Sequence, residues 1–235
     1  MKRFYEDVAI AAVDQVGFEV HLDARPVRTP MRQPLQLPGE SLAKAIAQEW
    51  AEQGEEIDVD AMPFTRIAAT AVDRVSGDRR GYTEQIAAYA ETDLVCYRAP
   101  APSGLVVMQS RSWQPLLDWC RDTYGAELKV TEGVAPVDQD RDALDRMRAA
   151  LDEQDPFELA ALSVATAASG SLVIGLALSR NRIDALAAYE ASQLDESYQN
   201  TLWGVDEEAQ SRRDILRADL EAAESFLSLL RADKI

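Results

Sequence analysis

Hydrophobic and polar positions alternate along the first 38 residues of the chain, a pattern typical of β-strands. The alternation predicts strands at residues 4–13 and 17–22, followed by a tight turn at residues 23–25. Four prolines between residues 26 and 38 then exclude a helix and favour short extended pieces, because proline cannot donate a backbone hydrogen bond. We therefore expect a small β-sheet near the N-terminus.

From Ser41 onward hydrophobic residues recur every three to four positions, which predicts helices. In the first helix Leu42, Ile46 and Trp50 fall on one stripe, so Trp50 is expected in the core, where a charge would be severely destabilising. Short extended segments are expected before and after the next long helix, at residues 105–108 and 128–137. The remaining chain is predicted to be helical at residues 138–153, 157–179, 183–203 and 206–232.

Strands followed by helices predict the α+β class. We expect a β-rich N-terminal domain with a few packed helices over residues 1–105 and a mainly α-helical C-terminal domain over residues 106–235. One stretch, residues 159–179, lacks charged residues over the length of a membrane span. More than half of it is Ala, Gly, Ser or Thr, which weakens its transfer into lipid, so a central helix buried by other helices is the favoured interpretation.

The charge of the chain narrows the classes of partner. Its 24 Lys and Arg residues against 41 Asp and Glu residues give a net charge of −17, spread along the sequence. Such a charge repels phosphate backbones and anionic membranes, so we expect no nucleic-acid binding and no membrane insertion, whereas a basic protein surface or a cationic ligand is compatible. Cys96 and Cys120 lack CxxC spacing, and no signal or transit sequence precedes the first strand, so a reduced, cytoplasmic compartment is expected.

Few residues suggest catalysis. His21 is the one histidine and lies in a strand pattern, so it is expected to be a packed or rim residue. We predict no catalytic residue, metal or cofactor, because phosphate-loop motifs and His/Cys clusters do not occur, although an all-carboxylate magnesium or calcium site stays open. The alternative function is a small-molecule hydrolase or isomerase that pairs Glu190 with Glu196 or Asp93. It requires these carboxylates to converge in an enclosed pocket.

The segment LDESYQNTLWG, residues 194–204, combines acids, amides and aromatics. It ends a predicted helix that begins after Asp184 as N-terminal cap and stops at Gly204. Glu190 falls within the apolar stripe of that helix. It is therefore expected to be either a partly buried acid, satisfied by an arginine or a backbone donor, or a functional residue. Leu186 shares this stripe, and its remaining members, expected as buried scaffold, are Leu194, Tyr198 and Leu202.

The opposite face of this helix is polar. It carries four residues at the spacing i, i+3, i+4 and i+7, with Asp195 at its side: Glu196, Gln199, Asn200 and Trp203. An aromatic residue ringed by polar groups is the composition of a protein-binding hot spot. The same pattern fits a solvated helix face whose tryptophan packs under the next helix. Composition does not separate these two interpretations.

A second polar string, ETDLVCYR at residues 91–98, joins a predicted helix end to a short extended segment. Because it carries acids and an arginine close together, a pair of Asp93 or Glu91 with Arg98 is expected to lock this junction. We therefore assign a structural role to Asp93 and Arg98, and likewise to Trp50 and Gly204.

Five strings occur in order along the chain: LDARPVRTP at 22–30, EW at 49–50, MPFT at 62–65, ETDLVCYR at 91–98, and LDE with Gln199 and WG within 194–204. Together they resemble the ATP synthase F1 assembly chaperone family that acts on the α subunit, in mitochondria and alphaproteobacteria. The match covers essentially the whole chain. It departs at the turn, where the family usually has Asp-Gly-Arg, because Ala24 replaces the glycine and a left-handed residue is not assured there.

The resemblance implies a similar fold and a protein that is not an enzyme. Members are thought to bind the free α subunit transiently and to shield the surface later given to the β subunit, so we expect an ATP-independent, monomeric chaperone of the bacterial cytoplasm, with eukaryotic relatives in the mitochondrial matrix. An acidic position regarded as important in the family carries over to Asp195 and Glu196 without a choice between them. Charge reversal at either is expected to weaken the complex while changing stability by less than about 1 kcal/mol. The predicted partner-binding residues are Glu190, Asp195, Glu196, Gln199, Asn200 and Trp203.

Overall fold

The structure is a computed structural model that describes residues 1–13, 17–204 and 207–233. The chain forms two compact units that interleave along the sequence. Unit 1 comprises Met1–Arg79, Pro156–Ala161 and Ser225–Ile235, and unit 2 comprises Arg80–Asp155 and Leu162–Glu224. These units have no single boundary, and the expected domain division at residue 105 stays a prediction.

Unit 1 contains the main β-sheet. Strand β1 (Val8–Val13) pairs antiparallel with β2 (Gly17–Leu22), in the register that sets Val8 opposite Leu22. The short strands β3 (Arg25–Pro26) and β4 (Gln36–Leu37) also pair with β2. Strand β2 is therefore central and β1 lies at an edge. Both predicted strands are present, although the first begins at Val8 and not at residue 4.

The turn after β2 has two consecutive left-handed residues, Asp23 (φ 47°) and Ala24 (φ 64°). Two such residues are what a two-residue hairpin turn of the I′ type needs, so the turn forms although an alanine occupies the position where glycine is favoured. The Asp23 carboxylate fixes it by accepting the backbone N–H groups of Glu6 (3.0 Å) and Asp7 (2.9 Å).

Helix α1 (Glu40–Ala51) packs against β1 and β2 and buries Leu42, Ala43, Ile46 and Glu49. Trp50 is only half-buried, and its ring meets Tyr5 edge-on at 5.7 Å, so its predicted core position is wrong. Glu49 occupies the interior because its carboxylate caps the next helix, α2 (Pro63–Thr70). It accepts the backbone N–H groups of Phe64 (2.6 Å) and Thr65 (2.8 Å). A short π-helical segment, Ala71–Val75, continues α2.

The rest of the chain is mainly helical, which confirms the α+β class. The remaining helices are α3 (Arg79–Ala87), α4 (Ser103–Tyr124), α5 (Arg141–Asp152), α6 (Pro156–Ser169), α7 (Leu172–Ser179), α8 (Ala185–Ser192), α9 (Leu194–Trp203) and α10 (Glu207–Ala232). Two short 3-10 helices, Ala88–Thr92 and Leu94–Cys96, follow α3. Strands β5 (Tyr97–Arg98) and β6 (Thr131–Glu132) form a small parallel pair. The predicted start of the last helix, Asp206, lies outside the described residues.

The extended segment predicted at residues 105–108 is wrong, because α4 already begins at Ser103. Its β-branched residues suggested a strand, but Leu105, Gln109, Trp113 and Leu116 are buried at helical spacing, so packing overrides the local preference. The extended segment predicted at residues 128–137 contains the short strand β6.

Two of the long predicted helices are each divided in two. The first break lies between α6 and α7, where Gly170 is left-handed (φ 68°) and the Ser171 hydroxyl caps α7 by accepting the Ile174 N–H. The second lies at Gln193, between α8 and α9. Every residue of α7 is buried, as expected for a central helix. None of the helices in the described ranges is both long and apolar enough to cross a membrane.

Candidate functional site

Asp93 is a fully buried anchor within unit 2. Its carboxylate accepts the Ser171 hydroxyl (2.5 Å) and the backbone N–H groups of Val173 (3.0 Å) and Val95 (3.2 Å). It therefore joins the 3-10 turn after it to the N-terminus of α7, where a negative charge is favoured. Burial raises the pKa of Asp93 to about 6, and the hydrogen bonds from Ser171 and the backbone oppose this rise.

The predicted pairing of Asp93 or Glu91 with Arg98 is wrong. Arg98 turns to α4, where it donates to the backbone carbonyl of Gln109 (2.7 Å) and lies over the ring of Trp113 at 5.1 Å. Burial lowers the pKa of Arg98, and Cys96 and, to a smaller extent, Asp195 counteract this. The carboxylate that acts on Arg98 is therefore Asp195, which is distant in sequence, and not Asp93 or Glu91 of the same string.

Gln109 lies at the centre of a hydrogen-bond network that links α4 to α9. Its side chain is fully buried, its Oε1 accepts the backbone N–H of Ala99 (2.8 Å), and its Nε2 donates to Oδ1 of Asp195 (2.7 Å). The indole N–H of Trp113 donates to the carbonyl of Ala191 at the end of α8 (2.8 Å). Both bonds fix the position of the break between α8 and α9.

This network separates the two candidate acids of α9. Asp195 points toward α4 and is half-buried, with its carboxylate held by Gln109. Glu196 follows about 100° further around the helix, so its side chain points away from the Gln109 network. Asp195 and Glu196 were both expected to be exposed, and both are half-buried, so this expectation is wrong for each. Because Asp195 also satisfies the buried Gln109 amide, its charge reversal is expected to cost more than about 1 kcal/mol.

The outer face of α9 presents an exposed aromatic residue. Trp203 is 87% exposed, so the interpretation in which it packs under the next helix is wrong. Gln199 is exposed, and Glu196 and Asn200 are half-buried, with Nδ2 of Asn200 turned inward. Gly204 ends the helix as predicted, with φ 89° and its N–H donated to the carbonyl of Asn200 (3.0 Å).

The predicted apolar stripe of α8 and α9 is buried only at Leu194. Leu202 (59%) and Leu186 (50%) are exposed, Tyr198 is half-buried, and Glu190 is exposed instead of partly buried. In α8 the buried positions are Ala185, Ala188 and Ala191, so Leu186 and Glu190 lie on another face of that helix. In α9 only the first residue, Leu194, is buried, and the rest of the stripe faces outward. Glu190 lies on the rim of a mainly apolar groove of about 620 Å³ whose lining includes Met108, Ile183, Ala187 and Leu194.

The carboxylates required for the hydrolase alternative do not share a pocket. Asp93 is fully buried among backbone donors, whereas Glu190 lines an open groove whose other lining residues include neither Asp93 nor Glu196. Across residues 1–13, 17–204 and 207–233, no group of three or more His, Cys, Asp or Glu side chains is arranged to hold a metal ion. The structure therefore brings Asp195, Glu196, Gln199, Asn200 and Trp203 together on α9 and sets Asp93 apart.

Gln109 was not among the predicted site residues, although its position in the sequence indicates a structural role. Leu105, Gln109, Trp113 and Leu116 fall on one stripe of α4, so the glutamine is a polar residue in an apolar row. A buried polar side chain needs partners, and here one is Ala99, directly after β5, and the other is Asp195 of α9.

The chain is similar to several known proteins. A family model described as ATP12 chaperone protein matches residues 2–121. The crystal structure of Atp12 from Paracoccus denitrificans is 43% identical, with 97% of each chain covered and a TM-score of 0.91. A solved protein of Agrobacterium tumefaciens is 38% identical over 97% of this chain and 86% of its own, with a TM-score of 0.92. The mitochondrial protein atp12 of Schizosaccharomyces pombe is 23% identical over 221 residues, which are 88% of this chain and 75% of that protein.

Proposed function

The chain belongs to the ATP12 chaperone family, and on that premise we propose that it is an ATP-independent assembly chaperone for the F1 sector of ATP synthase. It binds the unassembled α subunit and shields the subunit interface of that protein until the catalytic hexamer forms. The protein acts as a monomer in the bacterial cytoplasm, releases its client on assembly and carries no cofactor. The family model and the Agrobacterium protein are named as chaperones, which is compatible with this role.

The observation that carries the proposal is the exposure of Trp203 at the end of α9. A tryptophan that is 87% exposed leaves a large apolar ring in water, which costs free energy unless a partner covers it. Gln199 and Glu196 border it on the same face, and such a polar rim around an aromatic anchor is typical of binding hot spots. The acidic character of the chain favours a basic client surface.

Two acids of α9 then have different roles. We assign Glu196 to direct contact with the client, because it lies on the face that Trp203 occupies. Asp195 is a positioning residue, since its bond to Gln109 holds α9 against α4 and so fixes the direction in which the outer face points. Glu190, which lies on α8 near the groove, is a second contact position.

Binding of the purified α subunit to single variants tests this proposal. Trp203→Ala and Glu196→Lys should each weaken the complex by about tenfold or more while the midpoint of thermal unfolding stays unchanged. Glu127→Lys makes the same charge change at an exposed acid outside α9 and should bind like the unaltered protein. No complex at micromolar concentrations, with a folded chaperone and a folded α subunit, would overturn the proposed function.

A further inference from the structure

Strand β1 offers a second surface, at the edge of the sheet in unit 1. It pairs with β2 on one side, and in the described part of the chain no strand pairs with its other side. Ala9 and Ala12 are exposed, and the remaining residues of the strand are half-buried. An open edge of this kind presents a row of backbone donors and acceptors to any extended chain.

The register identifies which groups point outward. Asp23 donates its backbone N–H to the carbonyl of Asp7 (3.1 Å), so these opposite residues form a hydrogen-bonded pair. Such pairs recur at every second residue of an antiparallel ladder, which assigns Ala9, Ala11 and Val13 to bonds with β2. The N–H and C=O groups of Val8, Ile10 and Ala12 therefore point away from the sheet.

The edge lacks the features that usually keep edge strands unpaired. Its sequence, VAIAAV, contains no charge and no proline, and it runs for six residues in unbroken register with β2. Natural proteins commonly protect an edge with lysine, proline, a bulge or a very short strand, because an open apolar edge promotes aggregation. Retention of a long, uncharged edge in a chain that otherwise carries a net charge of −17 indicates a use for it.

We propose that the outer edge of β1 binds an extended segment of the unassembled client as an additional β-strand. The inference rests on the proposed chaperone function and adds a second contact to it. The backbone row of Val8, Ile10 and Ala12 determines the form of the partner, because only an extended backbone can pair with it. Because the side chains of β1 are uncharged, the segment that pairs with it is expected to carry apolar side chains.

The acidic residues beside β1 and the negative net charge of the chain indicate which charge the partner carries, and they disfavour self-association. Glu6 and Asp7 are exposed at the start of β1, so a client segment with Lys or Arg beside this end is favoured. A second copy of the chain is disfavoured, since it brings the same net charge of −17 to the contact. The partner is therefore an apolar, extended segment with a basic flank that belongs to another protein.

Amide hydrogen exchange of the full chain, alone and saturated with isolated F1 α subunit, tests the proposal. In the free protein the amides of Ile10 and Ala12 should exchange rapidly, whereas those of Ala9 and Ala11 should be protected by β2. In the complex the amides of Ile10 and Ala12 should be slowed by about tenfold or more, because each gains a hydrogen-bond acceptor.

A proline variant gives an independent measurement. Ile10→Pro removes one outward N–H and leaves the bonds to β2 intact, so affinity for the α subunit should fall by about tenfold. Ile10→Val keeps that N–H and serves as the matched control with unchanged affinity. If Ile10→Pro fails to fold by circular dichroism, Ala12→Pro replaces it, and the exchange measurement needs neither variant.

The outcomes distinguish this inference from the function on which it rests. Absence of any complex overturns the proposed function together with this contact. A complex that forms without slowing the Ile10 and Ala12 amides, and that tolerates proline, overturns the strand contact alone. Protection that rises with the concentration of the free chaperone would show that a second copy occupies the edge, and would also overturn it.

Discussion

Replacement of Asp195 by lysine tests whether this acid positions α9 against α4 or is an ordinary surface charge. The variant removes the acceptor of the Gln109 amide, and that amide is fully buried and cannot turn to water. An unsatisfied buried donor costs about 1–3 kcal/mol. The variant also replaces a negative charge that favours the charged form of Arg98 with a positive charge that opposes it. We expect a total loss of about 3 kcal/mol in the free energy of unfolding.

Glu196→Lys is the matched control for this experiment. It makes the same charge change at the next residue of α9, but Glu196 points away from the Gln109 network. Its expected cost is below about 1 kcal/mol, because the half-buried Glu196 carboxylate does not satisfy the buried Gln109 amide. Asp195→Asn adds a graded step, since the amide keeps an oxygen that accepts the Gln109 bond, and should lose less than half as much stability as the lysine variant.

Equilibrium unfolding in urea, followed by circular dichroism, measures these differences. Because α9 could detach without global unfolding, amide exchange within α9 is measured in parallel, and Asp195→Lys should accelerate it selectively. Equal stability and equal exchange in Asp195→Lys and Glu196→Lys would refute the positioning role. In that case Asp195 would act as an ordinary surface charge despite its contact with Gln109.

Three further predictions concern unit 1 and the buried acid of unit 2. Because burial raises the pKa of Asp93 from 3.8 to about 6, the folded state binds its proton more tightly than the unfolded chain, and the stability that this group contributes falls as pH rises through that window. Relative to Asp93→Asn, the free energy of unfolding of the unaltered protein should therefore fall by about 2.5 kcal/mol between about pH 4 and pH 7, and a flat difference would contradict the assignment. Ala24→Gly should raise stability by about 0.5–1 kcal/mol, since alanine pays for its left-handed φ of 64°, and a lower melting temperature would show that this strain is absent. Glu49→Ala should cost about 2–3 kcal/mol in urea unfolding through loss of the α2 cap, whereas the neighbouring exposed Gln48→Ala should cost little.

Much of the fold could be predicted because its signals are local. The alternation at residues 17–22 and the helical periodicity after Ser41 depend only on near neighbours along the chain. The helix stop at Gly204 likewise needs only a left-handed residue at that point. The outer face of α9 followed from spacing alone, because residues three and four apart share a helix face.

Predictions from local sequence were wrong where contacts with distant elements decide the secondary structure or the buried face of a segment. Residues 105–108 have the β-branched composition of a strand, yet the buried stripe of α4 includes them in a helix. The apolar stripe around Glu190 assumed that the larger side chains face the core, but α8 buries Ala185, Ala188 and Ala191 instead, so Glu190 is exposed.

The α+β class, the periodic elements and the polar face that carries Trp203 could be predicted from the sequence, since each of these is a property of short spacings. The hydrogen-bond partners of Asp195 and Asp93 could not be predicted in this way. The bond of Gln109 to Asp195 joins residues 86 apart, and that of Asp93 to Ser171 joins residues 78 apart. No periodicity encodes such pairs, because a buried polar group takes whichever partner the packing of distant elements brings within hydrogen-bond distance.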